Sequence, residues 1–161
     1  MIFVTVGSQK FQFNRLLQEI DALIEKGVIS DKVFAQSGCS DYEPKHYEYK
    51  PFLDRDEFAA REDECGILIT HGGTGAIIGA VKKGKKVIAV PRLASYGEHV
   101  DDHQIQLIEQ FREQNLICGI ADVTELEQAL QYVKEHEFDP YVSYTAAILE
   151  SIESFIEQNV E

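Results

Sequence analysis

The stretch G-I-L-I-T-H-G-G-T-G-A, residues 66–76, decides the fold of this chain. Its first half is an apolar run without polar alternation, which predicts a strand buried on both faces. Its second half places three glycines within four residues, and a helix over residues 76–83, closed by Gly84, is predicted to follow. A strand, a glycine-rich turn and a helix in this order are typical of the βαβ units of a parallel sheet.

Strands and helices alternate along the rest of the chain as well. Short apolar runs predict further strands at residues 2–6, 32–36, 47–49, 87–90 and 116–118. Apolar residues at helical spacing predict helices over residues 13–24, 54–64, 101–114 and 123–135. We therefore predict one Rossmann-like α/β domain spanning residues 1–161, with a parallel sheet of about six strands and helices on both faces.

The last segment, residues 141–160, is predicted to be a long amphipathic helix with an apolar stripe on one side and glutamates on the other. Two interpretations stay open for that stripe. It packs on the chain's own core, or it docks into a groove on another subunit.

The composition bounds the class of protein. With 161 residues, 44% hydrophobic and 10% aromatic, the chain can form one proper core, which argues against disorder. The net charge is −13, from 15 basic and 28 acidic residues, and this balance argues against a dedicated nucleic-acid binder. The acidity is uneven, because residues 121–161 hold ten acidic side chains and one lysine.

The cysteines and the N-terminus favour a reducing cytoplasm. Cys39, Cys65 and Cys118 lie far apart and form no C-x-x-C pair, so neither a disulfide framework nor a structural zinc is expected. The apolar run at the N-terminus has no basic flank and breaks at Gly7, which predicts a strand and not a signal peptide. No stretch approaches the roughly 20 apolar residues that would span a bilayer.

The glycine-rich turn is the strongest local signal for a ligand. In an open parallel sheet, ligands bind outside the carboxyl ends of the strands, where the strand order reverses. Gly72, Gly73 and Gly75 let the backbone approach a ligand closely, and Thr74 adds a hydroxyl donor. The helix that follows presents free N–H groups and a positive dipole end, which suits a phosphate or diphosphate. The alternative is a merely tight turn.

Two further strand ends carry polar groups. Gly7 and Ser8, after the first strand, form a second candidate phosphate loop, with a plain turn as the alternative. Residues 91–104 are dense in polar groups that can pair with sugar hydroxyls, each of which costs about 1–3 kcal/mol if it is buried unpaired. The alternative for this stretch is an ordinary polar loop and a capped helix.

Other motifs are weaker. Residues 79–85 fit G-x-x-x-x-G-K, but Lys86 stands where a P-loop needs Ser or Thr, and the segment runs from helix into strand. The lysines around it predict a solvated helix end, with an anionic partner as the alternative. Residues 54–56 look like a D-x-D metal motif, although their position favours capping a helix. His99 and His103 have the spacing of helical zinc ligands, and Asp101 and Asp102 could supply the third ligand and the general base that zinc catalysis needs.

Three motifs together resemble a known family. They are V-T-V-G-S-Q-K-F at residues 4–11, I-T-H-G-G-T-G-A-I at residues 69–77 and D-D-H-Q at residues 101–104. Their order and spacing resemble the C-terminal, donor-binding domain of GT-B glycosyltransferases of family 28. The likeness is nearest to the small subunit of two-component UDP-sugar transferases, in the dolichol pathway and in bacterial capsule and exopolysaccharide synthesis. It covers essentially the whole chain.

The resemblance implies roles for two groups of residues. The glycine-rich turn of residues 72–75 would face the donor diphosphate, helped by Gly7 and Ser8. Phe52 and Leu53 would lie near the uracil, through backbone contacts.

It also implies a sugar end of the site. Gln104 and His103 would face the sugar hydroxyls. Glu98 and His99 could reach the sugar or the leaving phosphate, which makes them the possible catalytic residues. One departure stands out, because many family members carry a glutamate that holds the ribose hydroxyls where this chain has Gly79.

The resemblance implies a partner as well. A GT-B transferase has two domains facing across a cleft, and these residues match only the donor half. We therefore expect a membrane-associated subunit that binds a lipid-linked acceptor and recruits this chain to the inner face of the membrane. Metal-independent hexosyl transfer without a cofactor is expected. A non-catalytic subunit that stabilises its partner, and an unrelated Rossmann-type nucleotide enzyme, are the alternatives.

Overall fold

The computed structural model describes residues 1–7, 11–93 and 103–139. Within them, strands and helices alternate as predicted. The strands are β1 (Ile2–Thr5), β2 (Val33–Gln36), β3 (Glu48–Lys50), β4 (Ile67–Thr70), β5 (Lys86–Ala89) and β6 (Cys118–Gly119). The helices are α1 (Asn14–Glu25), α2 (Arg55–Glu64), α3 (Thr74–Lys82), α4 (His103–Glu113) and α5 (Leu126–Glu135), the last preceded by a 3-10 turn at Val123–Glu125.

All six strands are parallel and lie in the order β3-β2-β1-β4-β5-β6. The chain builds outward from β1 to one edge through β2 and β3. It then returns to pair β4 with the other side of β1, and continues to the opposite edge. The strand order therefore reverses between β1 and β4, and this is where an open α/β sheet binds its ligands.

Helices cover both faces of the sheet, and the predicted fold class is confirmed. Every residue of β1, β2 and β4 is buried, as expected for strands packed on two sides. Ile2 and Val4 of β1 belong to one core cluster, shared with α1 and α5. Phe3, pointing the other way, belongs to a second cluster with α3 and α4, and Phe58 of α2 packs against that cluster.

The helix after the glycine-rich turn begins earlier than predicted. Gly73 takes the N-cap position with extended dihedral angles, φ −75° and ψ 123°, so α3 begins at Thr74 and not at residue 76. Thr74 and Gly75 therefore belong to the first helical turn, where the backbone N–H groups have no partner within the helix.

The other differences are at element ends. The predicted helix over residues 123–135 opens as a 3-10 turn, because Asp122 and Glu125 form a capping box there. The last strand is shifted to Cys118–Gly119 and pairs only with Ile88 and Ala89 of β5. The predicted helix over residues 141–160 lies outside the described residues, and none of the helices within them has the length and apolarity needed to cross a bilayer.

Candidate functional site

A cavity of about 470 Å³ opens at the carboxyl edge of the sheet, where the strand order reverses. We call it the switch-point cavity. Its walls come from four strand ends and from the helices that follow them. The residues that line it are Thr5, Gly7, Gln36, Phe52, Leu53, Asp54, Arg55, Phe58, His71, Gly73, Gly75 and Ala76.

The buried imidazole of His71 lies between the loop after β1 and the glycine-rich turn. A Cβ atom on Gly7 would lie 2.7 Å from His71 Nε2, and a Cβ on Gly73 would lie 2.4 Å from the same atom. Neither position therefore accepts a side chain while the ring stays in place. Gly7 also has a φ of 80°, which side chains disfavour. Because both positions are glycines, the backbones of the loop after β1 and of the glycine-rich turn can pack directly against the His71 ring.

The other ring nitrogen of His71 faces the strands. Nδ1 lies 3.3 Å from Thr70 Oγ1 and 3.5 Å from the carbonyl oxygen of Thr5. The edge of the ring that carries Nε2 is thus presented to the two glycine loops. His71 is not among the residues that the sequence predicts to be functional, although its place directly after a buried strand, at a glycine-rich turn, is a usable signal.

The N-terminus of α3 supplies the positive end of the cavity. Gly73 at the N-cap has no side chain to bond the first turn, while its carbonyl oxygen accepts from Ile77 N–H at 3.3 Å. Backbone N–H groups and the helix dipole at such a terminus favour an anion. A second positive group lies behind the loop after β1, because the fully buried Arg92 donates from Nη2 to the carbonyl oxygen of Val6.

The opposite wall is apolar and belongs to the segment before α2. Phe52 is 53% exposed, a large fraction for a phenylalanine. Phe58 packs edge-on against Phe3 with the ring centroids 5.1 Å apart, so this side of the wall is fixed to the core. The helix begins at a capped residue, since Asp54 accepts from Glu57 N–H at 2.8 Å. A flat ring has an apolar surface to lie against here.

The structure brings together most of the predicted diphosphate and uracil residues. Gly7, Gly73, Gly75, Phe52 and Leu53 all line the switch-point cavity. Their individual contacts with a donor stay predictions.

The remaining predicted residues lie beside the cavity or outside the described part of the chain. Thr74 begins α3. Gly72 packs on Gln104, since a Cβ on the glycine would lie 2.6 Å from Gln104 Cβ. Gln104 is 5% exposed, and its Oε1 accepts the backbone N–H of Arg92 at 2.9 Å. His103 is the first residue of α4. Ser8, Glu98, His99 and the side chain of His103 are not described.

Gly79 lies beside a buried carboxylate of α2. A Cβ at this position would lie 3.4 Å from both carboxylate oxygens of Glu62. The Glu62 side chain is 6% exposed, and its Oε1 lies 3.1 Å from Lys83 Nζ. A buried carboxylate from α2 therefore occupies the space beside Gly79, between α2 and α3.

Lys82 and Lys83 are exposed at the end of α3, as expected for the predicted solvated helix end, while Lys85 and Lys86 are half-buried. Lys83 Nζ lies 2.8 Å from Asp63 Oδ1, and Lys85 Nζ donates to the Asp63 carbonyl oxygen at 2.8 Å. Lys86 Nζ donates to carbonyl oxygens at the C-terminus of α5. The ion pair with Lys83 holds the pKa of Asp63 below its usual value.

The D-x-D segment acts as a helix start. Asp54 is the N-cap of α2. Across residues 1–7, 11–93 and 103–139, no three His, Cys, Asp or Glu side chains are grouped in a way that could hold a metal ion.

The fold and the cavity place this protein in the class of Rossmann-like α/β domains that have a glycine-lined cavity where the strand order reverses. Residues 1–158 match the model of the glycosyltransferase family 28 C-terminal domain, and the chain belongs to that family.

One curated relative is the UDP-N-acetylglucosamine transferase subunit ALG13 of Yarrowia lipolytica (strain CLIB 122 / E 150). It is 29% identical over 107 residues, which cover 63% of this chain and 53% of that protein. The chain thus spans about half the length of the curated relative that it matches.

Solved structures share the fold. The NMR structure of ALG13 has a TM-score of 0.60 at 18% identity, over 94% of this chain and 96% of that one. The glycotransferase of kitacinnamycin has a TM-score of 0.61 at 12% identity, over 98% of this chain and 39% of that one. The spinosyn forosaminyltransferase SpnP has a TM-score of 0.52 at 14% identity, over 97% of this chain and 39% of that one. At these identities the likeness concerns the fold alone.

Proposed function

We propose that this chain is the donor-binding subunit of a two-component glycosyltransferase that moves a hexose from a UDP-sugar to a lipid-linked acceptor. The observation that carries the proposal is the switch-point cavity, in which Gly7 and Gly73 close on His71 at the N-terminus of α3. Membership of the family supports a glycosyltransferase and argues against an unrelated Rossmann-type enzyme.

The diphosphate of the donor would lie at the glycine end of the cavity. There the first-turn N–H groups of α3 and the helix dipole face it, and the His71 ring forms the floor between the two loops. The same groups would stabilise the negative charge that develops on the leaving UDP, without a metal ion. Preorganised donors of this kind need no rearrangement when the charge appears.

The uracil would lie against Phe52, Leu53 and Phe58, with the sugar toward the start of α4. We propose that Gln104 and His103 contact the sugar hydroxyls and that Glu98 or His99 reaches the sugar or the leaving phosphate. Gln104 would do so through its amide nitrogen, because its oxygen is bonded to the Arg92 backbone.

The acceptor half would come from a membrane-associated partner, which also recruits this chain to the inner face of the membrane. The curated relative is itself called a transferase subunit, which supports a second component. We propose an acceptor from capsule or exopolysaccharide synthesis, because the P-R-L and G-E-H-V-D-D-H-Q sequences within residues 91–104 resemble the bacterial polysaccharide branch of the family. The general base for the acceptor hydroxyl would lie in the partner.

The test is a titration of the chain, alone and with its partner, against a panel of UDP-sugars. We expect saturable binding of at least one, and hexosyl transfer only when the partner is present. Absence of binding in both conditions would end the proposal.

A second candidate is a subunit that only stabilises its partner, favoured by the lack of a carboxylate at Gly79. In the assembled complex, Gly73→Val distinguishes the two functions. Loss of turnover supports the donor-binding function, and full turnover supports the stabilising one.

A further inference from the structure

Gln36, the last residue of β2, makes three hydrogen bonds at the floor of the switch-point cavity. It is 5% exposed. Its Oε1 accepts from the hydroxyl of Thr5 at 2.6 Å, and its Nε2 donates to the carbonyl oxygens of Gly7 and of Pro51, both at 2.9 Å. One side chain therefore reaches the ends of β1 and β3 from the strand between them.

The orientation of the Gln36 amide follows from its partners. Carbonyl oxygens only accept, so the amide nitrogen must face Gly7 and Pro51, and its oxygen is then left for the Thr5 hydroxyl. The Gly7 N–H in turn points to Thr5 Oγ1 at 3.4 Å. Both backbone polar groups of Gly7 are thus taken by the pair formed by Thr5 and Gln36.

The three turns that follow β1, β2 and β3 touch one another around this amide. The N–H of Gly38 donates to the Pro51 carbonyl oxygen at 2.7 Å. A Cβ on Gly38 would lie only 2.6 Å from the carbonyl oxygen of Gly7. Gly7 and Gly38 have φ angles of 80° and 59°, so both turns use a conformation that glycine adopts readily.

We propose that Gln36 is a positioning residue that sets the spacing between the two ends of the donor site. Gly7 lies at the diphosphate end of the proposed site, and Phe52, directly after Pro51, lies at the uracil end. A ligand that occupies both ends binds more tightly when the distance between them is already fixed. Binding of its diphosphate at one end then holds its uridine close to the other end. This inference rests on the proposed function.

The first test measures the affinity of the 161-residue chain for UDP, uridine and pyrophosphate by calorimetry, in wild type, Gln36→Leu and Gln36→Glu. Gln36→Leu removes the amide, and Gln36→Glu keeps its size while replacing the donor nitrogen. We expect both variants to raise the Kd for UDP by about tenfold or more, because the subsites lose their spacing. In Gln36→Leu, which adds no charge at the diphosphate end, the Kd values for uridine and pyrophosphate should change by less than about threefold.

A matched control is Asp21→Asn on α1. Asp21 is also 5% exposed and also ties a loop to the core, through the backbone N–H groups of Lys45 and His46. It does not line the switch-point cavity. Its variant should lose thermal stability as the Gln36 variants do, while the affinity for UDP stays at the wild-type value.

The second test needs no ligand. Amide hydrogen exchange at Gly7 and at Gly38 should become faster in Gln36→Leu and in Thr5→Val. In Thr5→Ser, which keeps the hydroxyl, both exchange rates should stay closer to those of wild type. Unchanged exchange at both amides, or equal losses for UDP and its two fragments, would overturn the positioning role. If wild type binds no UDP either alone or with its partner, but exchange behaves as expected, the proposed function fails and the link between the loops stands.

Discussion

Two cavities of similar volume lie at opposite ends of the parallel strands. One is at the carboxyl ends, which we call the carboxyl edge, and the other is at the amino ends, which we call the amino edge. The switch-point cavity has about 470 Å³ and is lined by glycines, a buried imidazole and apolar rings. The second, about 430 Å³, lies at the amino edge beside Lys85, Lys86, His136 and Phe138. We call it the amino-edge cavity. The two cavities differ in the residues that line them more than in volume.

The difference lies in what the polar groups do. At the amino edge, Lys85 Nζ donates to the carbonyl oxygen of Asp63 on α2, and Lys86 Nζ donates to carbonyl oxygens at the end of α5, so the charge stabilises the fold. At the carboxyl edge the glycines bring backbone and a helix N-terminus to the surface of the cavity. We expect changes at the carboxyl edge to alter ligand affinity and changes at the amino edge to alter stability.

The largest effect should come from a methyl group at the glycine-rich turn. Gly73→Ala places a Cβ 2.4 Å from His71 Nε2, so the ring or the turn must move. Overpacking of this kind costs about 1–3 kcal/mol, and the displaced turn should lower UDP affinity by about a hundredfold, measured by calorimetry.

The control for that variant is Gly66→Ala at the amino end of β4, where a Cβ meets no described atom within 4 Å. It should leave the affinity unchanged. Equal losses in the two alanine variants would remove the distinction between the edges.

The next effect is expected at the apolar wall. Phe52 is 53% exposed, so Phe52→Ala should leave the unfolding temperature unchanged while it removes a ring from the proposed uracil end. An aromatic contact with a base is worth about 1–3 kcal/mol, which corresponds to a rise of about fivefold or more in Kd for UDP. Tyr132→Ala is the matched control, since Tyr132 is 46% exposed on α5. A larger rise in the Kd for UDP in Tyr132→Ala than in Phe52→Ala would contradict the assignment of the uracil end to Phe52.

A smaller effect, on stability alone, is expected for Lys86→Met. The substitution keeps the length of the side chain and removes the donor to the Val133 and His136 carbonyl oxygens. Loss of a charged hydrogen bond here should lower the free energy of unfolding by about 1–2 kcal/mol, measured by urea denaturation. UDP affinity should not change, and a loss of affinity would place a ligand at the amino-edge cavity.

The smallest effect concerns acid. The hydrogen bond and charge of Lys83 lower the pKa of Asp63 from its usual 3.8, so the carboxylate favours the folded state above that value. This contribution is lost as the pH falls through the lowered pKa. Asp63→Asn should therefore be less stable than wild type near about pH 5.5 and approach it below about pH 3, measured by urea midpoints. A difference in urea midpoint between wild type and Asp63→Asn that does not change with pH would contradict the ion pair.

The parallel sheet followed from the sequence because buried parallel strands leave a clear pattern. The runs at β1, β4 and β5 have no polar alternation, and Asp54 has the position and chemistry of a helix cap, which the structure confirms. The start of α3 did not follow, because threonine and glycine are weak helix formers and only the conformation of Gly73 places them in the helix.

The site was harder to predict, because its polar residues act through partners that are distant in sequence. Gln36 ends a buried strand, so its position was visible, but its bonds to Gly7 and Pro51 depend on the strand order. His71 is in the motif itself, yet its contact with Gly7 joins residues 64 positions apart. The buried pairing of Glu62 and Lys83 beside Gly79 likewise requires two helices to meet.

The most direct test is a UDP titration of the isotope-labelled chain followed by backbone amide NMR. We predict saturable shifts at Gly7, Gly73 and Leu53, which line the switch-point cavity, and unchanged signals at Gly84, Lys86 and Glu137, which line the amino-edge cavity. Saturable shifts confined to the amino-edge residues, or no shifts at either cavity both with and without the partner, would contradict this prediction.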